Sequence, residues 1–121
     1  MGKILVVDDQ LGVRRLLYEA FREERHTVEL AAGGEEAIEI LKSFNPDLII
    51  MDMKMPGMNG IETLQSIRAL NNKVCVIMMT AYGEAGNIEQ ARDLGVQYYL
   101  SKPFDLFDLR DRVNGILKEV S

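Results

Sequence analysis

The chain lacks several features that would assign it to particular classes of protein. It has one cysteine among its 121 residues, which excludes an intrachain disulfide. No apolar run approaches the roughly 18 to 20 residues needed to span a bilayer, and no signal-peptide pattern precedes the first strand-like segment. Acidic residues number 19 against 14 basic ones, and the clustered lysines and arginines of a nucleic-acid surface are missing. These absences predict a cytoplasmic chain that binds neither membrane nor nucleic acid. We also expect a monomer.

The composition is that of an ordinary folded protein. Hydrophobic residues make up 47% of the chain and charged residues 27%, which provides enough apolar side chains for one core. No linker, internal repeat or low-complexity segment divides the sequence. We therefore expect a single domain over residues 1–121 with no output domain attached.

Short apolar runs alternate with longer stretches of helical periodicity, five times in succession. The predicted strands are Ile4 to Val7, Val28 to Leu30, Leu48 to Met51, Val74 to Met79 and Tyr98 to Leu100. The predicted helices are Gln10 to Glu24, Glu35 to Ser43, Ile61 to Leu70, Glu84 to Leu94 and Asp105 to Val120. Because the strands are apolar at nearly every position, both faces of the sheet need a cover of helices. This predicts an α/β fold, a doubly wound five-stranded parallel sheet in the flavodoxin-like order 2-1-3-4-5.

Polar side chains stand at the carboxyl ends of four predicted strands. They are Asp8 and Asp9 after the first, Asp52 after the third, Thr80 after the fourth, and Ser101 and Lys102 after the fifth. Each alone has an ordinary explanation, such as a helix cap, a turn residue or a solvated lysine. Parallel strands end at one edge of a sheet, however, and ligands bind there at the point where the strand order reverses. We therefore expect these side chains to meet.

Three carboxylates gathered in this way repel one another. At about 4 Å and an effective dielectric constant near 20, each pair costs roughly 4 kcal/mol before screening. Lys102 supplies one compensating charge, and a cluster of oxygen ligands suits a partly hydrated Mg²⁺. Magnesium and a lysine side by side are typical of a site that handles a phosphoryl group.

The stretches around these side chains resemble the receiver family of response regulators, and the resemblance covers essentially the whole chain. They are Val7-Asp8-Asp9, Asp52-Met53-Lys54-Met55-Pro56-Gly57, Thr80-Ala81 and Lys102-Pro103-Phe104. Asp8-Asp9-Gln10 and Met79-Thr80-Ala81-Tyr82-Gly83-Glu84 look closer still to the stand-alone receivers of sporulation phosphorelays.

The resemblance implies a role for each site residue. Asp52 would be the phosphoacceptor, with Lys102 and Thr80 as the other catalytic groups. The metal ligands would be Asp8, Asp9, Asp52 and the backbone carbonyl of Lys54, with Asp8 acting mainly through metal-bound water. Thr80 and Tyr99 would form a conformational switch, although ordinary strand packing explains Tyr99 equally well. Lys54 and Tyr82 would tune the lifetime of the acyl phosphate.

The same resemblance implies a sensor histidine kinase and a histidine phosphotransferase as partners. In the first predicted helix, Leu11 lies well off the core face and Leu16 lies on its rim; with Gly12 they would form an exposed apolar edge. We expect the partners to dock on this edge and on the loop after the fifth strand. The full docking set is Gln10, Leu11, Gly12, Leu16, Pro103 and Phe104.

Other functions remain open at this point. A receiver that signals only by changing shape, without onward transfer, would have the same site. A phosphatase of the haloacid dehalogenase class also uses an aspartate, Mg²⁺ and a lysine, but it needs its two aspartates two residues apart after the first strand. A flavodoxin-type FMN carrier needs a first turn rich in Ser, Thr and Gly. A conventional turnover enzyme is not expected, and His26 is expected to be solvated at the end of the first helix.

Overall fold

A computed structural model describes residues 2–70, 72–80 and 85–120, with the backbone alone at 85–87 and 120. Over this part of the chain, five strands alternate with five helices. The strands are β1 (Lys3–Val7), β2 (Thr27–Ala31), β3 (Leu48–Asp52), β4 (Cys75–Thr80) and β5 (Tyr98–Ser101). The helices are α1 (Leu11–Glu23), α2 (Gly34–Ile40), α3 (Gly60–Ala69), α4 (Ala85–Asp93) and α5 (Leu106–Val120).

The strands form one parallel sheet in the order β2-β1-β3-β4-β5, which confirms the predicted fold class and strand order. Each side of the sheet carries its own apolar cluster. The helices α1 and α5 pack on one side through residues such as Leu17, Phe21 and Val113. The helices α2, α3 and α4 pack on the other through residues such as Ala37 and Leu64. Both faces of the sheet are therefore covered, as the uninterrupted apolar strands require.

Element boundaries differ from the predicted ones in an informative way. Strands β3, β4 and β5 continue through Asp52, Thr80 and Ser101, because ladder pairing includes the polar residue that closes each apolar run. Helix α2 ends at Ile40 rather than at Ser43. The chain then continues in a tighter turn, since the amide of Ser43 donates to the carbonyl of Ile40 three residues before it.

The prediction of a solvated His26 is wrong. Its side chain is buried, and the chain turns just before it at Arg25, which has a positive φ of 68°. The amide of Gly2 donates to Nδ1 of His26 at 3.0 Å, which leaves the Nε2 proton to donate to Oδ1 of Asn114 at 3.1 Å. Asn114 in turn donates to Glu24 at 2.8 Å. The histidine thus links the residue before β1 and the end of α1 to α5.

None of the helices in the described part of the chain has the length and hydropathy needed to cross a bilayer.

Candidate phosphoryl and metal site

The polar side chains meet where the strand order reverses, between β1 and β3. Asp8 and Asp9 follow β1 directly, and Asp52 closes β3, which pairs in parallel with β1. One carboxylate oxygen from each of Asp8, Asp9 and Asp52 lies within 4.8 Å of the other two. Asp8 and Asp52 are buried, and Asp9 is exposed. Two of the three carboxylates are therefore enclosed by the protein, and the third faces solvent.

Lys102 reaches this cluster from the far side of β4. Its Nζ donates to Oδ2 of Asp8 at 3.0 Å and to Oδ2 of Asp52 at 3.1 Å, and lies 3.5 Å from Oε1 of Gln10. The amide of Lys102 donates to the carbonyl of Thr80 at 2.8 Å, which ties the β5–α5 loop to the end of β4. The Lys102–Pro103 peptide bond is cis.

Each buried carboxylate is also held by backbone groups. Oδ1 of Asp8 accepts from the amide of Gln10 at 2.8 Å, so Asp8 fulfils the ordinary turn-capping role as well. The carbonyl of Asp8 accepts from the Arg14 guanidinium at 2.8 Å. Oδ1 of Asp52 accepts a longer bond, of 3.3 Å, from the amide of Lys54. Asp8 is thus rigidly placed, whereas Asp52 keeps oxygen lone pairs for other partners.

The loop after Asp52 is anchored by the start of α3. Asn59 and Glu62 form a reciprocal capping box, with bonds of 2.9 and 3.0 Å between each side chain and the other's amide. The amide of Gly60 donates to the carbonyl of Met53 at 2.9 Å. A Cβ on Gly60 would lie only 2.6 Å from the carbonyl oxygen of Asp52. Glycine at this position therefore lets the helix approach the backbone of Asp52 closely.

The electrostatics of the site follow from burial and from the excess of carboxylates over ammonium groups. Burial raises the pKa of the Asp52 carboxyl; the hydrogen bond from Lys102 opposes the increase, and the charge of Asp8 adds to it. For Lys102, burial alone would lower the pKa, but hydrogen bonds to Asp8 and Asp52 raise it. One ammonium group is therefore held charged beside three carboxylates, and the site lacks positive charge.

The residues present fit a magnesium ion. Their donor set is all oxygen, it converges within 4.8 Å, and its exposed member leaves room for water. Mg²⁺ prefers oxygen ligands and keeps several waters when it binds proteins. The protein residues that would hold the ion are Asp8, Asp9 and Asp52.

Asp52→Asn should stabilise the metal-free protein at neutral pH. The free energy of unfolding should rise by roughly 1 to 2 kcal/mol, the scale of a single favourable change. Because the folded-state pKa of Asp52 is raised, its charged form costs stability at neutral pH, and protonation removes that cost as the pH falls through the raised value. The advantage of the variant should therefore shrink in acid.

Urea denaturation at several pH values measures this effect. Added Mg²⁺ should stabilise the parent more than the variant, because the parent retains the third carboxylate. A variant less stable than the parent at neutral pH, without metal, would show that Asp52 is not electrostatically strained.

The remaining predicted site residues fall at different places. Thr80 is buried at the end of β4, and Tyr99 is half-buried in β5 with its hydroxyl 3.0 Å from the carbonyl of Val96. The side chain of Lys54 is exposed. Tyr82 lies outside the described residues.

Within the predicted docking set, exposure varies. Leu11 is 54% exposed and Leu16 is 47% exposed. Gln10, Gly12 and Pro103 are also exposed, and Phe104 is half-buried.

Sequence reasoning missed three contributors to the site. Gln10 was assigned only to docking, yet its side chain also lies beside Lys102. Arg14 is not among the predicted site residues, yet its guanidinium donates to the backbone carbonyl of Asp8. Gly60 is not among the predicted site residues either, because no local pattern indicates that it lies against the backbone of Asp52.

Comparison with known proteins identifies the family. The model of the response regulator receiver domain matches residues 4–114. The chain belongs to the receiver family. It is a receiver domain of the two-component response regulators, and these matches give the haloacid dehalogenase alternative no support.

Similar proteins cover the receiver over most of its length. Sporulation initiation phosphotransferase F of Bacillus subtilis is 44% identical, across 95% of this receiver and 93% of the relative. The chemotaxis protein CheY of Halobacterium salinarum is 34% identical, across 95% and 96%. The receiver domain of Francisella response regulator 1452 superposes with a TM-score of 0.90 at 32% identity, covering 100% of both chains.

Several curated relatives are longer. The receiver spans 24% of one relative at 38% identity and 49% of another at 40% identity. Receiver domains interact with histidine kinases and phosphotransferases, and they bind Mg²⁺ at an acidic pocket.

Proposed function

We propose that this receiver is a stand-alone phosphorelay intermediate that takes a phosphoryl group onto Asp52 and passes it to a histidine of another protein. One observation carries the proposal: three carboxylates converge, and Nζ of Lys102 donates to Oδ2 of Asp8 at 3.0 Å and to Oδ2 of Asp52 at 3.1 Å. Similarity to sporulation initiation phosphotransferase F over nearly the full length of both chains supports the relay role.

The chemistry follows from the positions of the side chains. An Asp52 oxygen attacks the phosphorus of a partner's phosphohistidine, the new P–O bond replaces the P–N bond, and the imidazole keeps the electron pair. Lys102 already contacts Oδ2 of Asp52, so its ammonium is positioned to neutralise a phosphoryl oxygen. Mg²⁺, when bound by Asp8, Asp9, Asp52 and the Lys54 carbonyl, supplies further positive charge for those oxygens. Onward transfer reverses the same step.

Thr80 and Tyr99 are the proposed switch. Thr80 closes β4, and Tyr99 pairs with Met78 of the same strand. A Thr80 hydroxyl drawn toward the phosphoryl group would open space for the Tyr99 ring. The Tyr99 hydroxyl bond to Val96 has to break for that movement. Tyr99 also supports a second candidate function, in which phosphorylation changes the conformation of the receiver and the phosphoryl group is not passed on.

Lys54 is proposed to protect the acyl phosphate from water, because its exposed side chain belongs to the loop that follows Asp52. Lys54→Ala should shorten the phosphoryl half-life roughly threefold to tenfold, which corresponds to about 1 kcal/mol on the hydrolysis barrier. Loss of label from purified phosphoprotein measures the rate. Lys73→Ala is the matched control, since it removes an exposed lysine from the loop before β4, at the opposite end of the sheet. Equal half-lives for Lys54→Ala and parent would remove Lys54 from this role.

Partner proteins are proposed to dock on the exposed residues of α1 and on the loop after β5, which lie side by side. A depression of about 450 Å³ is lined by Gln10, Val13, Leu16, Lys102, Pro103 and Phe104. Because Lys102 contributes both to this depression and to the site, a protein seated there is next to Asp52. Exposed apolar residues at such a position favour a protein partner.

The relay role is tested by transfer in two stages. The receiver is incubated with each purified histidine kinase of its source organism and radiolabelled ATP, and the phosphorylated receiver is then chased with purified histidine phosphotransferases. We expect rapid labelling by at least one kinase and passage of the label to a histidine. Labelling without passage to any phosphotransferase would favour signalling by shape, and absence of labelling by every kinase and by acetyl phosphate would refute the proposal.

A further inference from the structure

The Asp9 carboxylate is held less firmly than the other two members of the cluster. Asp8 and Asp52 are buried, and each accepts a hydrogen bond from Lys102. Asp9 is exposed, and within the described part of the chain its carboxylate takes part in no hydrogen bond or ion pair. The direction of this carboxylate is therefore set mainly by the backbone that carries it.

Both peptide groups that flank Asp9 are held by side chains. The carbonyl of Asp8 belongs to the peptide before Asp9, and it accepts from Nη1 of Arg14 at 2.8 Å. The amide of Gln10 belongs to the peptide after Asp9, and it donates to Oδ1 of Asp8 at 2.8 Å. Because each peptide group is planar, these two bonds together restrict both backbone dihedral angles of Asp9.

Arg14 is itself firmly placed. It is the fourth residue of α1, and its amide donates to the carbonyl of Gln10 at 3.1 Å, which fixes its backbone in the first turn. Its side chain is half-buried and points back towards the start of the helix, as helical side chains do. Arg14 forms no ion pair with a described residue. Its guanidinium therefore serves the carbonyl of Asp8 rather than a carboxylate.

We propose that Arg14 is a positioning residue for the metal site, which sets the affinity for Mg²⁺ by holding the peptide between Asp8 and Asp9. The inference rests on the proposed function and deepens it. Mg²⁺ requires nearly octahedral ligand geometry, so a carboxylate on a fixed backbone binds it more tightly than one that turns freely. Groups that orient the ligands of a metal in this way contribute roughly 10-fold to 100-fold to its affinity.

A role of Arg14 through charge alone predicts the opposite effect. Removal of a positive charge beside a cation site reduces repulsion, and would tighten the binding of Mg²⁺. Loss of the bond to the Asp8 carbonyl frees the peptide before Asp9, and should weaken binding. The sign of the change in affinity therefore separates the two roles.

Arg15 provides the matched control. It is the next residue of α1, its side chain is exposed, and it lies about 100° further around the helix. Arg15→Gln removes the same charge as Arg14→Gln and leaves the bond between Arg14 and the Asp8 carbonyl in place.

The first measurement needs no phosphoryl donor and no partner protein. Mg²⁺ is titrated into the parent and the variants, and amide chemical shifts in NMR spectra give the Kd and report whether each protein is folded. Arg14→Gln should raise the Kd for Mg²⁺ by roughly tenfold. Arg14→Lys should recover part of the affinity, since its ammonium can still donate to a carbonyl. Arg15→Gln should bind as the parent does, or slightly more tightly.

The second measurement is the rate of labelling by acetyl phosphate as a function of Mg²⁺ concentration. Arg14→Gln should raise the concentration for half-maximal rate by the same factor as the Kd, and should reach a near-parental rate at saturation. A purely structural defect would lower the maximal rate in proportion to the folded fraction and leave the half-maximal concentration unchanged.

A folded Arg14→Gln protein that binds Mg²⁺ as tightly as the parent, or more tightly, would overturn the inference. Equal weakening in Arg14→Gln and Arg15→Gln would overturn it as well. If Arg14→Gln fails to fold, Arg14→Met, which keeps the apolar stem of the side chain, is judged by the same criteria. A parent that binds Mg²⁺ but is never labelled would refute the proposed function and leave the role of Arg14 in metal binding standing. A parent that binds no Mg²⁺ would overturn the role of Arg14.

Discussion

Lys102→Ala should lower the rate of Asp52 phosphorylation by acetyl phosphate by roughly 100-fold to 1,000-fold, the range for loss of one preorganised electrostatic group. The ammonium lies 3.1 Å from Oδ2 of Asp52, so no rearrangement is needed before it meets phosphoryl oxygens. Single-turnover labelling at saturating Mg²⁺ measures the rate. A parental rate in the variant would show that Lys102 serves the fold alone.

The same substitution should also destabilise the protein. Asp8 is fully buried and would lose its ion pair with Lys102, and removal of one partner from a buried pair costs about 3 kcal/mol. Added Mg²⁺ should restore part of the stability, because it supplies charge to the same carboxylates, but little of the rate. Lys102→Arg separates the two effects. It keeps the charge and most of the stability, whereas the planar guanidinium cannot take the place of a compact ammonium.

Gly60→Ala should impair phosphorylation although Gly60 has no reactive group. The added Cβ would lie 2.6 Å from the carbonyl oxygen of Asp52 and 2.7 Å from Cα of Met53. Both are backbone atoms, so the segment that carries the acceptor has to move. A displacement of about 1 Å at a reacting group lowers rates by roughly 100-fold. Overpacking of this kind also costs about 1 to 3 kcal/mol of stability.

Gly115→Ala is the control for this glycine substitution. No atom of the described residues outside α5's own neighbouring turns lies within 4 Å of a Cβ at Gly115, so we expect parental labelling and stability that is unchanged or slightly higher. The acetyl phosphate labelling rates of the two variants are compared at equal folded fraction. A parental rate in folded Gly60→Ala would mean that the loop absorbs the Cβ without moving Asp52.

Features set by periodicity or local chemistry could be predicted from the sequence. The buried parallel strands are visible as apolar runs such as 48–51, and the crossover rules then limit the order of strands. Helical periodicity predicts a core face of α1 formed by Val13, Leu17, Ala20 and Phe21; the last three are buried and Val13 is half-buried. The meeting of Asp8, Asp52 and Lys102 follows from the same topology, because parallel strands end at one edge.

Features that depend on contacts between distant segments could not be predicted. His26 stands in a charged stretch, and its burial depends on Gly2 and on Asn114, 88 residues away. Gly60 looks like any turn glycine until α3 is placed against β3. Phe107 is an apolar residue of the kind that usually lies in a core. It is exposed because Leu109 and Val113 bury a different face of α5.

The most direct test of the account is to locate the phosphoryl group. The receiver is incubated with acetyl phosphate and Mg²⁺, its intact mass is measured, and borohydride reduction followed by peptide sequencing identifies the modified residue. We expect one phosphoryl group, on Asp52, absent without Mg²⁺ and absent in Asp52→Asn. A phosphoryl group on any other residue, or an Asp52→Asn protein labelled like the parent, would contradict it.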